Sequence, residues 1–186
     1  MAMTHPFSQD FIEQAFLGEV LSQAEYALDA FRTAQASLGT TPVDPVYRGL
    51  HSLLVHAGNI SKLLWPIPSK DKAKAAVMAS RASALLGRLK LPSHIGPVLS
   101  SRELRNHLEH FDERLDAWAG SNPTSLVDRN IGPLAAFGVI SPAMVLRHYD
   151  PTSRTFIFAG TTYDIGQLVA AVTQVRDAAL AARPSI

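Results

Sequence analysis

Two long stretches near the start of the chain carry apolar residues at steps of three and four, and this period constrains the fold most strongly. One runs from Ser8 to about Gly39, and the other from about Asp44 to Trp65. The spacing predicts two amphipathic helices, each with one buried face. Pro66 cannot continue the second helix and therefore ends it. The positions predicted to face the core are Phe11, Ala15, Leu17, Leu21, Ala24, Leu28 and Phe31 in the first helix, and Val46, Leu50, Leu53, Leu54, Ala57, Ile60, Leu63 and Leu64 in the second.

Two more helices follow in the sequence pattern. The third is predicted from about Lys70 to Leu89, with Ser69 as its N-cap. The fourth is predicted as one continuous helix from about Val98 to Ala119, ended by Gly120. Helices of this length joined by short connections favour an up-and-down bundle.

The chain changes character after the fourth helix. Residues 120–142 are rich in Pro and Gly with apolar residues between them, which predicts an ordered loop strapped over the bundle. Ala143–Tyr149 and Arg154–Phe158 predict a β-hairpin around the turn sequence that begins at Asp150. A final helix is predicted to begin at Thr162 or Asp164.

The predicted fold class is therefore mainly α: an up-and-down four-helix bundle with a C-terminal β-hairpin and a fifth helix. Residues 1–142 form the bundle with its strapping loop, and residues 143–186 form the hairpin and helix. A lone hairpin is marginally stable in water. We therefore expect it to pack on the bundle, giving a single domain overall.

Composition excludes several kinds of protein. The chain of 186 residues contains no cysteine, which rules out disulfides, thiolate catalysis and cysteine-based zinc sites. No uninterrupted apolar run is long enough to span a membrane, and the N-terminus lacks the pattern of a signal peptide. We therefore expect a cytoplasmic protein with no membrane partner.

Charge is unevenly distributed along the sequence. Residues 1–40 carry five carboxylates and one arginine, a net charge of −4, whereas residues 60–102 carry eight cations and one aspartate, a net charge of +7. This asymmetry permits a basic face that meets phosphates, although solvated helix faces are the preferred interpretation for most of these residues.

The densest run of ionisable groups lies at 101–118, within the predicted fourth helix. A helical projection puts Leu104, Leu108, Phe111, Leu115 and Trp118 on one core stripe. The same projection turns Arg105, Asn106 and His110 away from that stripe. The chemistry of the protein is therefore predicted to occur on this polar face. His51 and His56, on the second helix among apolar neighbours, are instead interpreted as hydrogen-bonded structural histidines.

The pattern Arg105-Asn106-x-x-x-His110 resembles the motif of the HEPN superfamily. Proteins of that superfamily are small helical bundles; many act as metal-independent ribonucleases, and others bind RNA or nucleotides without cleavage. The helix from His56 to Pro66 also resembles a helix of bacterial relatives of this class. The resemblance covers residues 8–120 and leaves the hairpin and the last helix outside it.

The resemblance implies a site in which Arg105, Asn106 and His110 are catalytic and no metal or cofactor takes part. His110 would act as general base or acid on RNA and leave a 2′,3′-cyclic phosphate. Arg105 would hold the scissile phosphate, and Asn106 would orient the phosphate or His110. Arg102, Glu109 and Glu113 would fix the rotamers around His110 and tune it.

The predicted helix geometry also points to a homodimer. On one continuous helix Arg105 and His110 would lie about 140° apart around the axis and about 7.5 Å apart along it. One copy would not aim both side chains at a single phosphate, whereas two copies packed across a two-fold axis could. HEPN nucleases typically build their site at such an interface, so the resemblance implies the same arrangement.

Four alternatives remain open from the sequence. The charged stretch is also typical of a solvated helix face with no chemistry. A second reading is a non-catalytic HEPN-like module that binds RNA, a nucleotide or an antitoxin-like protein in a defence or toxin–antitoxin system. A third is a metal-binding bundle, for which the chain lacks the paired Glu-x-x-His motifs that face a bundle core. The fourth is a scaffold protein with a polar dimer seam.

Overall fold

The computed structural model describes residues 9–101, 104, 110–121, 127–138 and 140–183. Within these ranges the chain is mainly helical, as predicted, with a small sheet near the C-terminus. The helices are α1 (Gln9–Ala36), α2 (Asp44–Leu64), α3 (Lys72–Leu89), α4 (Ile95–Leu99), α5 (Phe111–Gly120) and α6 (Ile165–Ala182). The strands are β1 (Asn130–Ile131), β2 (Arg147–Asp150), β3 (Thr155–Phe158) and β4 (Thr161–Asp164), and 3₁₀ turns lie at Leu134–Phe137 and Pro142–Met144.

Helices α1 and α2 form the centre of the molecule as an antiparallel pair. Near one end Gln23 of α1 accepts a hydrogen bond from Asn59 of α2. Near the other, Gly49 of α2 lies so close to α1 that a Cβ there would be 2.5 Å from the carbonyl oxygen of Ala30. Only glycine permits this approach. The predicted inward face of α2 is buried throughout, except for the half-buried Leu63.

The predicted core stripe of α1 is wrong at its start. Phe11 is 56% exposed and Ala15 is also exposed, whereas the predicted stripe is buried at each of its positions from Leu17 to Phe31. The first two turns of α1 therefore have too few neighbours to cover an apolar side chain. The predicted N-cap, Ser8, lies outside the described residues.

Helix α3 is fastened to α1 by charged side chains. Arg88 donates to Asp10 at 2.6 Å and to Glu13 at 3.0 Å, and the guanidinium of Arg81 lies 4.9 Å from the ring centre of Phe16. Oppositely charged residues of the acidic first helix and the basic third helix are thus paired. This pairing accounts for part of the charge asymmetry in the sequence.

The cap of α3 differs from the sequence prediction. Asp71, and not Ser69, is the N-cap, because its carboxylate accepts hydrogen bonds from the backbone N–H groups of Ala73 and Lys74. Ser69 instead accepts a hydrogen bond from the backbone N–H of Asp71 and thereby supports the cap.

The prediction of one continuous helix over 98–119 is wrong. Helix α4 ends at Leu99, Ser100 and Ser101 are not helical, and His110 has φ −127° and ψ 42° immediately before α5. Adjacent serines compete with the helix for backbone hydrogen bonds, which favours a break at that point. At His110 a tertiary contact outweighs helical propensity, since the break accompanies stacking of Phe111 on the sheet.

The hairpin prediction is confirmed, but the sheet is larger than a hairpin. Strands β2 and β3 pair antiparallel with Asp150 opposite Thr155, and β4 extends the sheet beyond β3. Strand β1 pairs parallel to β2 on the other side. The last helix begins where Asp164 caps it by accepting from the backbone N–H of Gln167, one of the two starts that the sequence allowed.

The two faces of the sheet meet different partners. Tyr149, Phe156 and Phe158 point into the main core with the helices. On the opposite face Ile157 packs in a small apolar cluster with residues of the segment 127–145. The strapping loop therefore packs in part on the sheet, which supplies a second apolar face, while Arg129 and Asn130 of the loop contact α2. Val139, one of its apolar residues, lies outside the described part.

One apolar core runs from the helices into the sheet. It contains residues of α1 and α2 together with residues of β2, β3, β4 and α6, so sequence segments on both sides of residue 142 contribute to it. Among the described helices, none has both the length and the apolar character needed to cross a membrane.

Candidate functional site

The six residues predicted to form the site divide into two groups in the structure. Arg102, Arg105, Asn106 and Glu109 lie outside the described residues. His110 and Glu113 are described, as are Leu104 on one side of the motif and Phe111 on the other. The geometry of the site is therefore built from His110, Glu113 and the two flanking anchors.

His110 is the residue before α5 and its side chain is half exposed to solvent. Its Nδ1 lies 3.2 Å from the Oε2 of Glu113, one turn into the helix, and the exposed fractions of the two side chains are 50% and 73%. In the neutral imidazole a proton on Nδ1 can be donated to the carboxylate, which leaves the lone pair on Nε2. In this geometry Nε2, on the opposite side of the ring, points away from the carboxylate.

The break at His110 changes the geometry that the sequence predicted for the motif. His110 has no helical backbone conformation, so the separation of about 140° around a common axis does not apply to it. We still expect a homodimer from the HEPN resemblance, but the helical projection no longer supports it.

The segment that carries the motif is flanked by two anchors, one on α2 and the other on strand β3. At one end the carbonyl oxygen of Leu104 lies beside Gly58, where a Cβ would be 3.6 Å away. At the other end the ring of Phe111 stacks on Phe158, with centroids 5.4 Å apart and planes 15° apart. Phe158 in turn contacts His51 of α2 edge to face at 5.0 Å. His51, Phe158 and Phe111 form what we call the aromatic row.

His51 has an environment very different from that of His110. Its ring also meets Phe156 edge to face at 5.5 Å. Burial, together with the nearby cation of Arg147, lowers the pKa of His51 from 6.5 to about 4. His51 is consequently neutral at physiological pH, and its principal visible role is to hold the aromatic row.

A network of charges lies beside this row and was not anticipated. Arg147 of β2 makes a two-pronged ion pair with Asp128, with Nε at 2.7 Å from Oδ1 and Nη2 at 2.9 Å from Oδ2. Arg129 pairs with Asp44 at the start of α2 at 2.9 Å. Tyr47 donates to the carbonyl oxygen of Asn130 at 2.6 Å.

This network joins the N-terminal half of α2 to the sheet. Burial raises the pKa of Tyr47, and the charge of Asp128 adds to the effect, so the hydroxyl stays protonated and can donate. The sequence contains a signal for the network, because Asp44, Tyr47 and His51 are three and four residues apart and share one face of α2.

The described part of the site has an acidic balance. Helix α5 contains Asp112, Glu113 and Asp116 against one cation, Arg114, a net charge of −2 when His110 is neutral. Arg114 is held by a hydrogen bond to the hydroxyl of Thr161 in β4. A phosphate near His110 would therefore need cations from outside α5, and Arg102 and Arg105 are the nearest in sequence.

His56 has the hydrogen-bonded role that the sequence predicted. Its Nδ1 lies 2.7 Å from the Oε1 of Gln23. An amide oxygen only accepts, so Nδ1 carries the proton. The side-chain amide N–H of Gln23 donates a hydrogen bond to the carboxylate of Glu19 at 2.7 Å. Burial lowers the pKa of His56, which favours this neutral tautomer.

The described residues hold no group of three or more His, Asp or Glu side chains arranged to bind a metal ion. Comparison of the chain with protein-family models, with curated proteins and with solved structures gives no significant match. A functional proposal therefore rests on the Arg105-Asn106-x-x-x-His110 motif and on the geometry around His110.

Proposed function

We propose that the protein is a metal-independent endoribonuclease of HEPN type, with Arg105, Asn106 and His110 in the catalytic site. The observation that carries the proposal is the pair formed by His110 and Glu113. A half-exposed imidazole whose Nδ1 faces a carboxylate at 3.2 Å has its other nitrogen available for proton transfer to a substrate. This is the arrangement that a general base on a ribose hydroxyl requires.

The reaction follows from the roles of these side chains. His110 Nε2 takes the proton of the ribose 2′-hydroxyl, and the oxygen forms a bond to the adjacent phosphorus. The bond from phosphorus to the 5′-oxygen breaks, and an imidazolium returns a proton to that oxygen. The products are a 2′,3′-cyclic phosphate and a 5′-hydroxyl. Arg105 neutralises the charge that develops on the phosphate oxygens.

Because α5 is acidic, Arg105 would also be needed to attract the phosphodiester to His110. Asp112 and Glu113 repel a phosphodiester that approaches His110, so binding depends on cations outside the helix. A homodimer that brings together Arg105 and His110 from two copies would double the positive charge at the scissile phosphate. We therefore propose that the active ribonuclease is a homodimer.

The test is cleavage of labelled single-stranded RNA by the purified protein in EDTA. The wild type should cleave, and His110→Ala and Arg105→Ala should each lower the rate by a factor of about 100 or more, the range for loss of an acid–base group or an electrostatic donor. His94→Ala, which removes an exposed histidine outside the motif, is the matched control and should keep full activity. Equal cleavage by all four proteins would contradict the assignment.

A second candidate function is a non-catalytic module that binds another protein. Helix α5 buries none of its ten residues, and Phe111 in its first turn is 41% exposed, although Leu115 packs partly against the main core. Among the described residues, no hydrogen-bond partner is found for the buried indole N–H of Trp118. Such a helix suits a partner surface. This account is preferred if the wild type leaves RNA intact while Leu115→Glu abolishes a dimer seen by light scattering.

A further inference from the structure

Phe111 presents a flat aromatic surface beside His110. Phe111 is 41% exposed, although it is the first residue of α5 and makes a ring contact with the core. Phe158 covers one face of its ring in a nearly parallel stack. With the centroids 5.4 Å apart, the stack is offset and leaves much of the Phe111 ring open to solvent.

The support beneath this ring is rigid. Phe158 is 1% exposed and belongs to the main core. His51 meets Phe158 edge to face, with planes 87° apart, and is itself fixed on α2. A ring held in this way loses little conformational freedom when a second flat group stacks on it, so stacking there is favourable.

We propose that Phe111 stacks with the base of a nucleotide next to the scissile phosphate. The proposal rests on the ribonuclease function and names a part of its substrate site. Single-stranded RNA is commonly bound through unstacked bases that lie on aromatic side chains. Phe111 follows His110 directly in the chain, so a base on its ring lies within one nucleotide of the general base.

The local charges favour a base over a phosphate at this position. Asp112 and Glu113, in the first turn of α5, repel an anion but do not repel an uncharged heterocycle. The base would then occupy Phe111 while the phosphate is left to Arg105. Because every base has an aromatic face, the contact should tolerate any sequence.

The experiment measures binding of two uncleavable 2′-O-methyl RNAs, one with all its bases and one with abasic residues at the same phosphates. Wild type should bind the complete RNA about tenfold more tightly than the abasic RNA. Phe111→Leu should remove that difference by weakening only the complete RNA, whereas Phe111→Trp should retain it. Phe137→Leu is the matched control, because Phe137 is also 41% exposed but contacts His148 on the other face of the sheet.

Each other outcome is informative. Equal weakening of both RNAs by Phe111→Leu, or of neither, overturns the stacking proposal while leaving the ribonuclease function in place. A changed oligomeric state without a change in RNA binding assigns Phe111 to a contact between copies and also overturns it. If wild type binds neither RNA, the ribonuclease function itself fails. Should Phe111→Leu not fold, quenching of the new indole fluorescence in Phe111→Trp by the complete RNA, and not by the abasic RNA, provides the same test.

Discussion

Helix α2 carries His51, a member of the aromatic row, and helix α5 is preceded by His110, next to that row, but the two helices differ in almost everything else. Eleven of the 21 residues of α2 are buried, and none of the ten residues of α5 is. His51 on α2 lies between aromatic rings and is neutral because burial lowers its pKa to about 4. His110, before α5, is half exposed and faces a carboxylate.

The two helices are therefore expected to contribute to different properties, α2 to stability and α5 to the proposed activity. Helix α2 packs on α1 and the sheet, so changes in it should alter the free energy of unfolding. Among the described residues, helix α5 contacts the rest of the protein through the ring of Phe111, the side chain of Leu115 and the hydrogen bond of Arg114. Changes to its exposed polar residues should alter activity and leave stability nearly unchanged.

The largest effect on stability is expected at Gly49. Gly49→Ala places a Cβ 2.5 Å from the carbonyl oxygen of Ala30 and 2.8 Å from the Cβ of Ala34. The helices must then separate, which should lower the free energy of unfolding by about 3 kcal/mol. Thermal unfolding should show a fall in Tm of about 10 °C for a chain of this length.

The same substitution at Gly18 is the control for this prediction. A Cβ at Gly18 of α1 meets nothing within 4 Å. Gly18→Ala should therefore stabilise the protein by about 0.5–1 kcal/mol, since alanine favours the helix more than glycine does. Equal effects at the two sites would show that close packing of α1 and α2 is not what the core depends on.

The next effect is a dependence of stability on pH that arises from His51. Its pKa is about 4 when folded and 6.5 when unfolded, so the unfolded chain binds the proton more readily. The contribution of neutral His51 is therefore fully present above pH 6.5 and is lost as the pH falls toward 4. The difference between the two pKa values corresponds to a contribution of at most about 3 kcal/mol to the free energy of unfolding. Partial exposure of the ring reduces this contribution to about 2 kcal/mol.

Urea unfolding of the wild type and of His51→Gln at several pH values provides the measurement. The two proteins should differ by a constant amount above pH 6.5, and the wild type should lose more stability than the variant between pH 6.5 and pH 4. Subtracting the two profiles removes the contributions of the carboxylates and of the other histidines. Parallel profiles over the whole range would mean that His51 titrates in the same way in both states.

The smallest effect on stability is expected at the proposed site. His110→Ala and Glu113→Gln remove side chains that are mostly exposed, so each should change the free energy of unfolding by less than about 0.5 kcal/mol. Thermal unfolding of both variants beside the wild type measures this. A loss above 2 kcal/mol would make the pair a structural feature and would weaken the comparison between α2 and α5.

Periodicity predicted the helical part of the fold well and the sheet in part. The inward face of α2 followed from spacing alone, because each of its apolar residues has a neighbour to cover it. The turn at Asp150 located the hairpin. Strand β1 is only two residues long, too short for an alternating pattern, and β4 follows β3 after two residues; both depend on pairing with β2 and β3.

The site was harder to predict because tertiary contacts determine it. Leu104 and Phe111 fall on one stripe in a helical projection, and nothing in that spacing indicates the break at His110. The break becomes favourable only when Phe158 is present to receive the ring of Phe111. Likewise, Asp128 and Arg147 are 19 residues apart in sequence and meet only because β1 and β2 pair.

The central claim is that this chain cleaves RNA through the ribose 2′-hydroxyl with His110 as a base. The most direct measurement uses an RNA with one 2′-deoxy nucleotide at the preferred cleavage position, incubated with the protein in EDTA. We predict cleavage of the all-ribose RNA to a 2′,3′-cyclic phosphate, and no cleavage at the deoxy position. Cleavage at the deoxy position, or an all-ribose RNA that stays intact, would contradict the account.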